Sequence, residues 1–345
     1  MAGGRLRATV LGFAGALVVF AILLWTAGVD DLLAQLATAD GRLVALVFLA
    51  TLGWLVAWSL ALRTVLGVLG ITLSVPRSVL VYTAAVFSNN VTPFGQAGGE
   101  PITALFISRA TDTEYEHGLA AIASVDTLNF VPSITIAVVG VGYFVTETAF
   151  GTSRRLELAL ASVVVLAVGV PSLVYLGWKR RYRIEARVVG LLTPLIRRVA
   201  THLPRVPVPT VGGVERRING FFRAIERVAT NPRGLALALG LSAVGWVCQM
   251  IGLWLAFQAI GTPIPLSVAL FVVPISAIAG VTPLPGGAGG IEGVLVLLLV
   301  AAPLPAVTEP VALAAVVVFR GMVYWLPTAL GGLAAGVVSL RARPA

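Results

Sequence analysis

The sequence predicts an all-α polytopic membrane protein, a helical bundle of two inverted repeats that each contain a broken re-entrant hairpin. Three observations predict it. The 345 residues are 58% hydrophobic and only 11% charged, with a mean hydropathy of +0.97, whereas a soluble domain carries about 25% charged residues. Two near-copies of one motif lie 190 residues apart (93 to 283): Val91-Thr92-Pro93-Phe94-Gly95-Gln96-Ala97-Gly98-Gly99-Glu100 and Val281-Thr282-Pro283-Leu284-Pro285-Gly286-Gly287-Ala288-Gly289-Gly290-Ile291-Glu292. Each interrupts a long apolar stretch, and non-helical backbone at membrane depth is tolerated only where protein buries it or water lines it. Finally, the formal charge of +9 is concentrated in loops, where an Arg excess sets topology.

The elements follow in order. A short basic N-terminus with Arg5 and Arg7 leads into an apolar run from about 8 to 28, too long for a signal-peptide core and so read as a retained span. Further full spans fall near 42–66, 117–146, 156–178, 234–258 and 311–338. The motif regions, about 78–108 and 265–301, each have room for two short helices, either a re-entrant hairpin or a pair of tilted spans. Both choices leave the same parity. Segment 179–233 holds 13 Lys/Arg against Glu185, Glu215 and Glu226, which places it in the cytoplasm. Counting outward puts both termini inside and the acidic turn Asp30, Asp31 and Asp40 outside; Arg154 and Arg155 fall outside against the trend. The whole chain, 1–345, is read as one transmembrane domain. Repeat A spans about 42–146 and repeat B about 234–338, each ordered as span, broken hairpin, span, in opposite orientation. The connector, about 179–233, includes an amphipathic stretch with Val214, Ile218, Phe221, Phe222, Ile225 and Val228 on one face. Arg216, Arg217, Arg223 and Arg227 lie between them. It fits a helix on the anionic inner leaflet and equally a connector packed on the bundle. No recognition fold or aromatic platform accompanies the arginines, so nucleic acid is not an expected partner.

Four charges lie within the apolar runs: Glu100, Asp126, Glu292 and Arg320. Each costs about 2.5–3.5 kcal/mol at a helix centre and needs a partner, a proton or an aqueous cavity. Three acids against one base leave an excess of negative charge, so at least one acid is protonated or meets a cationic group, which allows a proton-coupled cycle. Glu100 and Glu292 each follow a Gly pair, and Pro101 fits a first helical position. Each Glu is either the cap of a half-helix or a substrate or proton site, and the N–H groups of such half-helices suit an anion such as phosphate. Arg320 is either a structural ion-pair partner or a phosphate clamp. Asp126 fits an internal polar network with Asn129 a turn away. Asn89 and Asn90 fit either a headgroup or a helix end. Pro93, Gly98, Gly99, Pro283, Gly289 and Gly290 are the expected breaks and hinges. Arg109 and His117 bracket a solvated turn. The single cysteine, Cys248, and two distant histidines, His117 and His202, exclude a disulfide framework and argue against a metal centre; no cofactor is expected.

Pro93 through Gly98-Gly99-Glu100, Pro283 through Gly289-Gly290-Ile291-Glu292, and Arg320 with Tyr324 and Pro327 resemble the lysylphosphatidylglycerol synthase transmembrane family. It is also described as flippase-like, or as an uncharacterised UPF0104-type membrane family. The likeness covers roughly 8–340. It implies a multi-pass plasma-membrane protein with paired re-entrant elements. In multidomain bacterial members this region moves an aminoacylated phospholipid between leaflets, and a separate soluble domain makes that lipid. The synthase half is not found here, so the resemblance points away from an enzyme. Stand-alone members have been tied to polyprenyl-linked sugars and to membrane lipids. Family members often carry an acid–Arg pair on the span after the first break, where this chain has Asp126-Thr127. The expected function is therefore a lipid flippase or transporter whose partners are membrane lipids with a phosphate-bearing or polyprenyl-linked headgroup. An oligomer is left open. An intramembrane group-transfer enzyme and an ion or small-solute transporter are the alternatives.

Overall fold

The computed structural model describes residues 21–147, 179–201 and 211–341, with short pieces at 14–15, 17–19, 168–169, 172 and 175–177. Among the described residues the chain is helical throughout, with no strand. Four helices are long and apolar enough to cross a membrane: Gly41–Val68, Tyr115–Phe144, Pro232–Ala259 and Glu309–Val338. A bent pair, Leu17–Ala27 and Val29–Ala37, makes a fifth if it counts as one span. The expected span at 156–178 lies, apart from a few residues, outside the described residues, as do Arg5, Arg7, Arg154 and Arg155.

After α1 (Val29–Ala37), two series of elements follow the same order. The first is α2 (Gly41–Val68), α3 (Val75–Val91), a break, α4 (Gln96–Thr111) and α5 (Tyr115–Glu147). Two connector helices follow, α6 (Arg181–Thr201) and α7 (Val211–Ala229). The second series is α8 (Pro232–Ala259), α9 (Leu266–Ala277), a break of two short 3-10 turns, α10 (Gly290–Ala301), α11 (Glu309–Arg320) and α12 (Leu326–Arg341). A π-helical turn, Gly321–Trp325, joins α11 to α12.

The local chemistry is duplicated too. Asp40 caps α2 by accepting the Arg42 N–H at 2.8 Å, and Asn231 caps α8 by accepting the Gly234 N–H at 2.8 Å. Each satisfies a donor that the first helical turn leaves unpaired. At the far ends the chain turns through Gly70 (φ 83°) and Gly261 (φ 76°), left-handed positions suited to glycine. The N–H of Ile71 then reaches the Leu66 carbonyl and that of Thr262 the Phe257 carbonyl, the Schellman closure in both cases.

Packing is reciprocal between the two series. The opening helices α2 and α8 form the most extensive helix pair, α3 packs on α12, and α9 packs on α5. The α2–α8 seam is aromatic: Trp58 stands edge-on to Trp54 and to Trp246, each at 5.5 Å between centroids. The Trp58 indole donates to the Ser242 carbonyl and Trp246 to the Asn129 carbonyl. The other two contacts are set by glycine. A methyl group at Gly140 would lie 2.5 Å from Leu270 Cβ, and one at Gly331 would lie 2.3 Å from the Thr83 carbonyl oxygen. Backbones approach this closely only where the side chain is absent. The connector helix α7 packs on α5 and α6. Its apolar face is covered by protein, with Ala224 and Val228 buried and Phe221 and Ile225 against the core. Arg216, Arg223 and Arg227 point outward. Of the two expectations for this segment, packing on the bundle is the one seen.

Candidate functional site

The two breaks meet. In the first, the backbone leaves α3 through Phe94 (φ 65°) and Gly95 (φ 52°) and re-enters helix at Gln96. A bulky Phe in the left-handed region is strained, and its side chain is exposed. In the second, Gly286, Gly287 and Gly289 all take positive φ before α10 begins. A methyl group at Gly95 would lie 2.9 Å from the Gly280 carbonyl, and one at Gly286 would lie 2.8 Å from Asn90 Cα. Each break is therefore seated on the other, and neither tolerates an added carbon there.

Tyr324 bridges them. Its hydroxyl lies 3.1 Å from the Asn90 carbonyl of the first break and 3.3 Å from the Pro285 carbonyl of the second. Asn90 answers by donating through Nδ2 to Thr328 Oγ1 at 2.8 Å and to the Tyr324 carbonyl at 3.3 Å. The π-helical turn that carries Tyr324 is a widening of the helix often found at functional sites.

Arg320 sits at the start of that turn. Its Nε donates to Glu292 Oε1 at 2.7 Å, with side-chain exposures of 10% for Arg320 and 2% for Glu292. Its guanidinium lies 4.7 Å from the centre of the Tyr324 ring, in cation–π range. The second carboxylate oxygen of Glu292 accepts the Gly289 N–H at 2.6 Å. Glu292 is thus both the cap of α10 and the counter-ion of Arg320, so it occupies the positive helix end where an anion was expected. Arg320 Nη2 is buried and has no partner.

Glu100 behaves differently, and so does Pro101. Because Gly95 turns the chain early, α4 already runs from Gln96, which places Pro101 inside the helix and Glu100 past the capping position. The capping expectation for Glu100 and the first-position expectation for Pro101 are corrected accordingly. Glu100 lies on the helix packed against α5, where its carboxyl group neighbours that of Asp126. Asp126, only 6% exposed, therefore partners Glu100, whereas Asn129 turns to α8 and accepts the Ser242 hydroxyl at 2.6 Å. The expected Asp126–Asn129 network is split between two neighbours, because a one-turn spacing fixes a shared helix side but not which helix lies opposite. Asn89 lies against Gly99, where a methyl group would fall 2.0 Å from its Oδ1, and that oxygen is unpartnered.

Of the expected site residues, Asn90, Glu292 and Arg320 converge with Pro285 and Tyr324, and Glu100 pairs with Asp126. Gly289 donates to Glu292, while Gly98, like Gly99, lets α4 start against the preceding backbone: a methyl there would lie 2.0 Å from the Pro93 carbonyl. Gly290 begins α10 and lies against Thr282, and Pro283 is exposed within its break. Tyr324 and Thr328 were not among the expected site residues. Their signal was spacing, since 320, 324 and 328 are successive i, i+4 positions on one helix face.

Comparison with known proteins adds two findings. The family described as "Lysylphosphatidylglycerol synthase TM region" matches residues 10–331. Similar curated proteins include a UPF0104 membrane protein of Methanothermobacter thermautotrophicus, 28% identical over 337 residues, covering 95% of this chain and 93% of the relative. A UPF0104 membrane protein of Pyrococcus horikoshii is 24% identical over 319 residues, covering 90% and 92%. One of Methanocaldococcus jannaschii is 23% identical over 333 residues, covering 95% and 94%.

Proposed function

The chain belongs to the Lysylphosphatidylglycerol synthase TM region family, and from that premise we propose that it passes a phosphate-bearing lipid headgroup between leaflets through the joined breaks. One observation carries the proposal. Where two helix breaks touch, a buried guanidinium keeps one donor without a protein partner, and an unpaired buried donor is costly enough to favour any acceptor that reaches it. Phosphate oxygens are acceptors matched to it. Glu292 holds the guanidinium through Nε and Tyr324 holds its face, so an arriving oxyanion meets a donor already aimed. The lipid tails stay in the bilayer while the headgroup crosses between the breaks.

The reciprocal packing of α3 on α12 and of α9 on α5, with α2 against α8, is what a pseudo-two-fold axis between the series would produce. Together with the charge count it supports an inverted-topology repeat, with each break entered from an opposite face of the membrane. The same count favours cytoplasmic termini, and the family favours residence in the plasma membrane. On the inner side, Arg216, Arg223 and Arg227 face outward from α7, where they attract anionic lipid.

The test uses purified protein in vesicles that carry a trace of headgroup-labelled phosphatidylglycerol and a membrane-impermeant quencher outside. Transfer exposes the inner-leaflet label with the lipid chemically unchanged. Label that stays protected argues against transfer, and a chemically altered lipid argues for the enzyme instead.

A further inference from the structure

Asp126 and Arg320 occupy matching places. Each stands eleven positions past the first residue of its helix, from Tyr115 in α5 and from Glu309 in α11. Each meets a glutamate from the helix that follows its break, Glu100 in one series and Glu292 in the other. In the second series the glutamate is neutralised by a built-in cation. In the first, the same place holds a second carboxyl group.

Two ionised carboxylates side by side, one of them buried, repel and offer each other no donor, since ionised carboxylates only accept. A proton between them resolves the contact, as it does wherever two carboxyl groups share a site. The surroundings offer no substitute. Among the described residues, no Lys, Arg or His nitrogen lies within 4.0 Å of either group. The titratable neighbours that act on the pair are Tyr82 of α3 and Tyr115 of α5, neither of them a cation. The remaining charges of the packed elements sit toward their ends: Arg42 and Arg63 on α2, Arg77 on α3, Arg109 on α4, Glu116, His117 and Glu147 on α5, Arg233 on α8 and Arg341 on α12. Helix α9 has none, and α7 carries Glu215, Glu226 and its arginines outside the membrane spans.

The space around the pair is also polar and unsatisfied. Asp126 Oδ2 is buried and receives no amide, hydroxyl or guanidinium donor. One turn beyond Glu100, Thr103 Oγ1 is fully buried without a partner, and one turn beyond Asp126, Asn129 Nδ2 is in the same state. Buried polar atoms without a partner are costly and favour a group beside them that can donate.

We propose that Glu100 and Asp126 form an exchangeable proton site, in which a bound proton does for the first series what the Arg320 guanidinium does for the second. Loading forms an O–H bond on one carboxylate, with the proton taken from hydronium; unloading returns it to water on the other side of the membrane. That this exchange drives headgroup transfer rests on the function proposed above, whereas the proton site itself does not.

Infrared difference spectra of the purified protein in vesicles, taken between mildly acidic and mildly alkaline pH, test the site without any transported lipid. The wild type should show the carbonyl stretch of a protonated carboxyl group that titrates away on alkalinisation. Glu100→Gln and Asp126→Asn should each abolish it, because an amide donates where the proton was. Glu100→Asp should keep a shifted band, and exposed Glu114→Gln should change nothing. Elution profiles and thermal stability of the variants exclude misfolding as the cause of a lost band. A band unchanged in both amide variants overturns the proposal, and a band displaced by sodium at fixed pH replaces the proton with an alkali cation. In the labelled-phosphatidylglycerol vesicles, an imposed pH gradient should accelerate transfer by the wild type and not by Glu100→Gln. Transfer that ignores the gradient while the band persists overturns the coupling alone. No transfer with the band intact overturns the transfer reading and leaves the proton site standing.

Discussion

The Glu292–Arg320 pair makes the sharpest energetic prediction, because its two partners are buried to such a degree that neither can be repaired by water. Glu292 is 2% exposed and divides its oxygens between Arg320 Nε at 2.7 Å and the Gly289 N–H at 2.6 Å. Replacing Arg320 with Met strands that carboxylate, and breaking a buried pair from one side costs about 3–5 kcal/mol. Glu292→Gln keeps an acceptor for Gly289 but strands the guanidinium, at a similar cost. The double variant removes both charges and fills the space with apolar and amide groups, which is often neutral or better. The singles should therefore each destabilise by about 3–5 kcal/mol, while the double lies within about 1 kcal/mol of wild type, a coupling of several kcal/mol. Reversible unfolding in mixed micelles or by steric trapping measures the cycle. A coupling at or below about 0.6 kcal/mol, the mean for interhelical hydrogen bonds in a membrane protein, would refute the reasoning.

Three further outcomes are expected. Gly140→Ala and Gly331→Ala should each cost about 1–3 kcal/mol, since the added methyl meets Leu270 or the Thr83 carbonyl at 2.5 and 2.3 Å. Gly142→Ala and Gly336→Ala, with nothing within 4 Å, should be neutral or stabilise by about 0.5–1 kcal/mol; equal behaviour of the two pairs in a thermal-stability assay would discard the close-packing account. Tyr324→Phe removes the hydroxyl that bridges Asn90 and Pro285. It should lose about 1 kcal/mol and slow label transfer, and a variant that transfers as fast as wild type would show that the bridge is dispensable. On a Cys248→Ala background, cysteines at the exposed positions Gln96 and Pro283 should react with impermeant reagents from opposite sides of sealed vesicles; labelling of both from one side contradicts the inverted orientation.

Much of the fold could be read from the chain because its strongest signals are local. The breaks at Pro93–Gly95 and Pro283–Gly289 announce themselves through residues that cannot continue a helix, and the paired order of spans follows from hydropathy. The four charges within the apolar runs were also legible, since each stands out against apolar neighbours. What could not be read was who meets whom. Glu100 and Glu292 look alike after their Gly pairs, yet one caps α10 and binds Arg320 while the other crosses to Asp126. The difference arises where Gly95 starts α4 at Gln96, five positions earlier than Pro101 suggested. The amphipathic pattern of α7 was likewise ambiguous, because an apolar face looks the same whether lipid or the α5 surface covers it.

Headgroup transfer by the folded double variant Glu292→Gln/Arg320→Met tests the central claim most directly, because it removes the site's charge without stranding a buried ion. The account predicts that wild-type vesicles expose the inner-leaflet label of phosphatidylglycerol and that vesicles with this variant keep it protected. Equal exposure by both would contradict the assignment of transfer to the joined breaks.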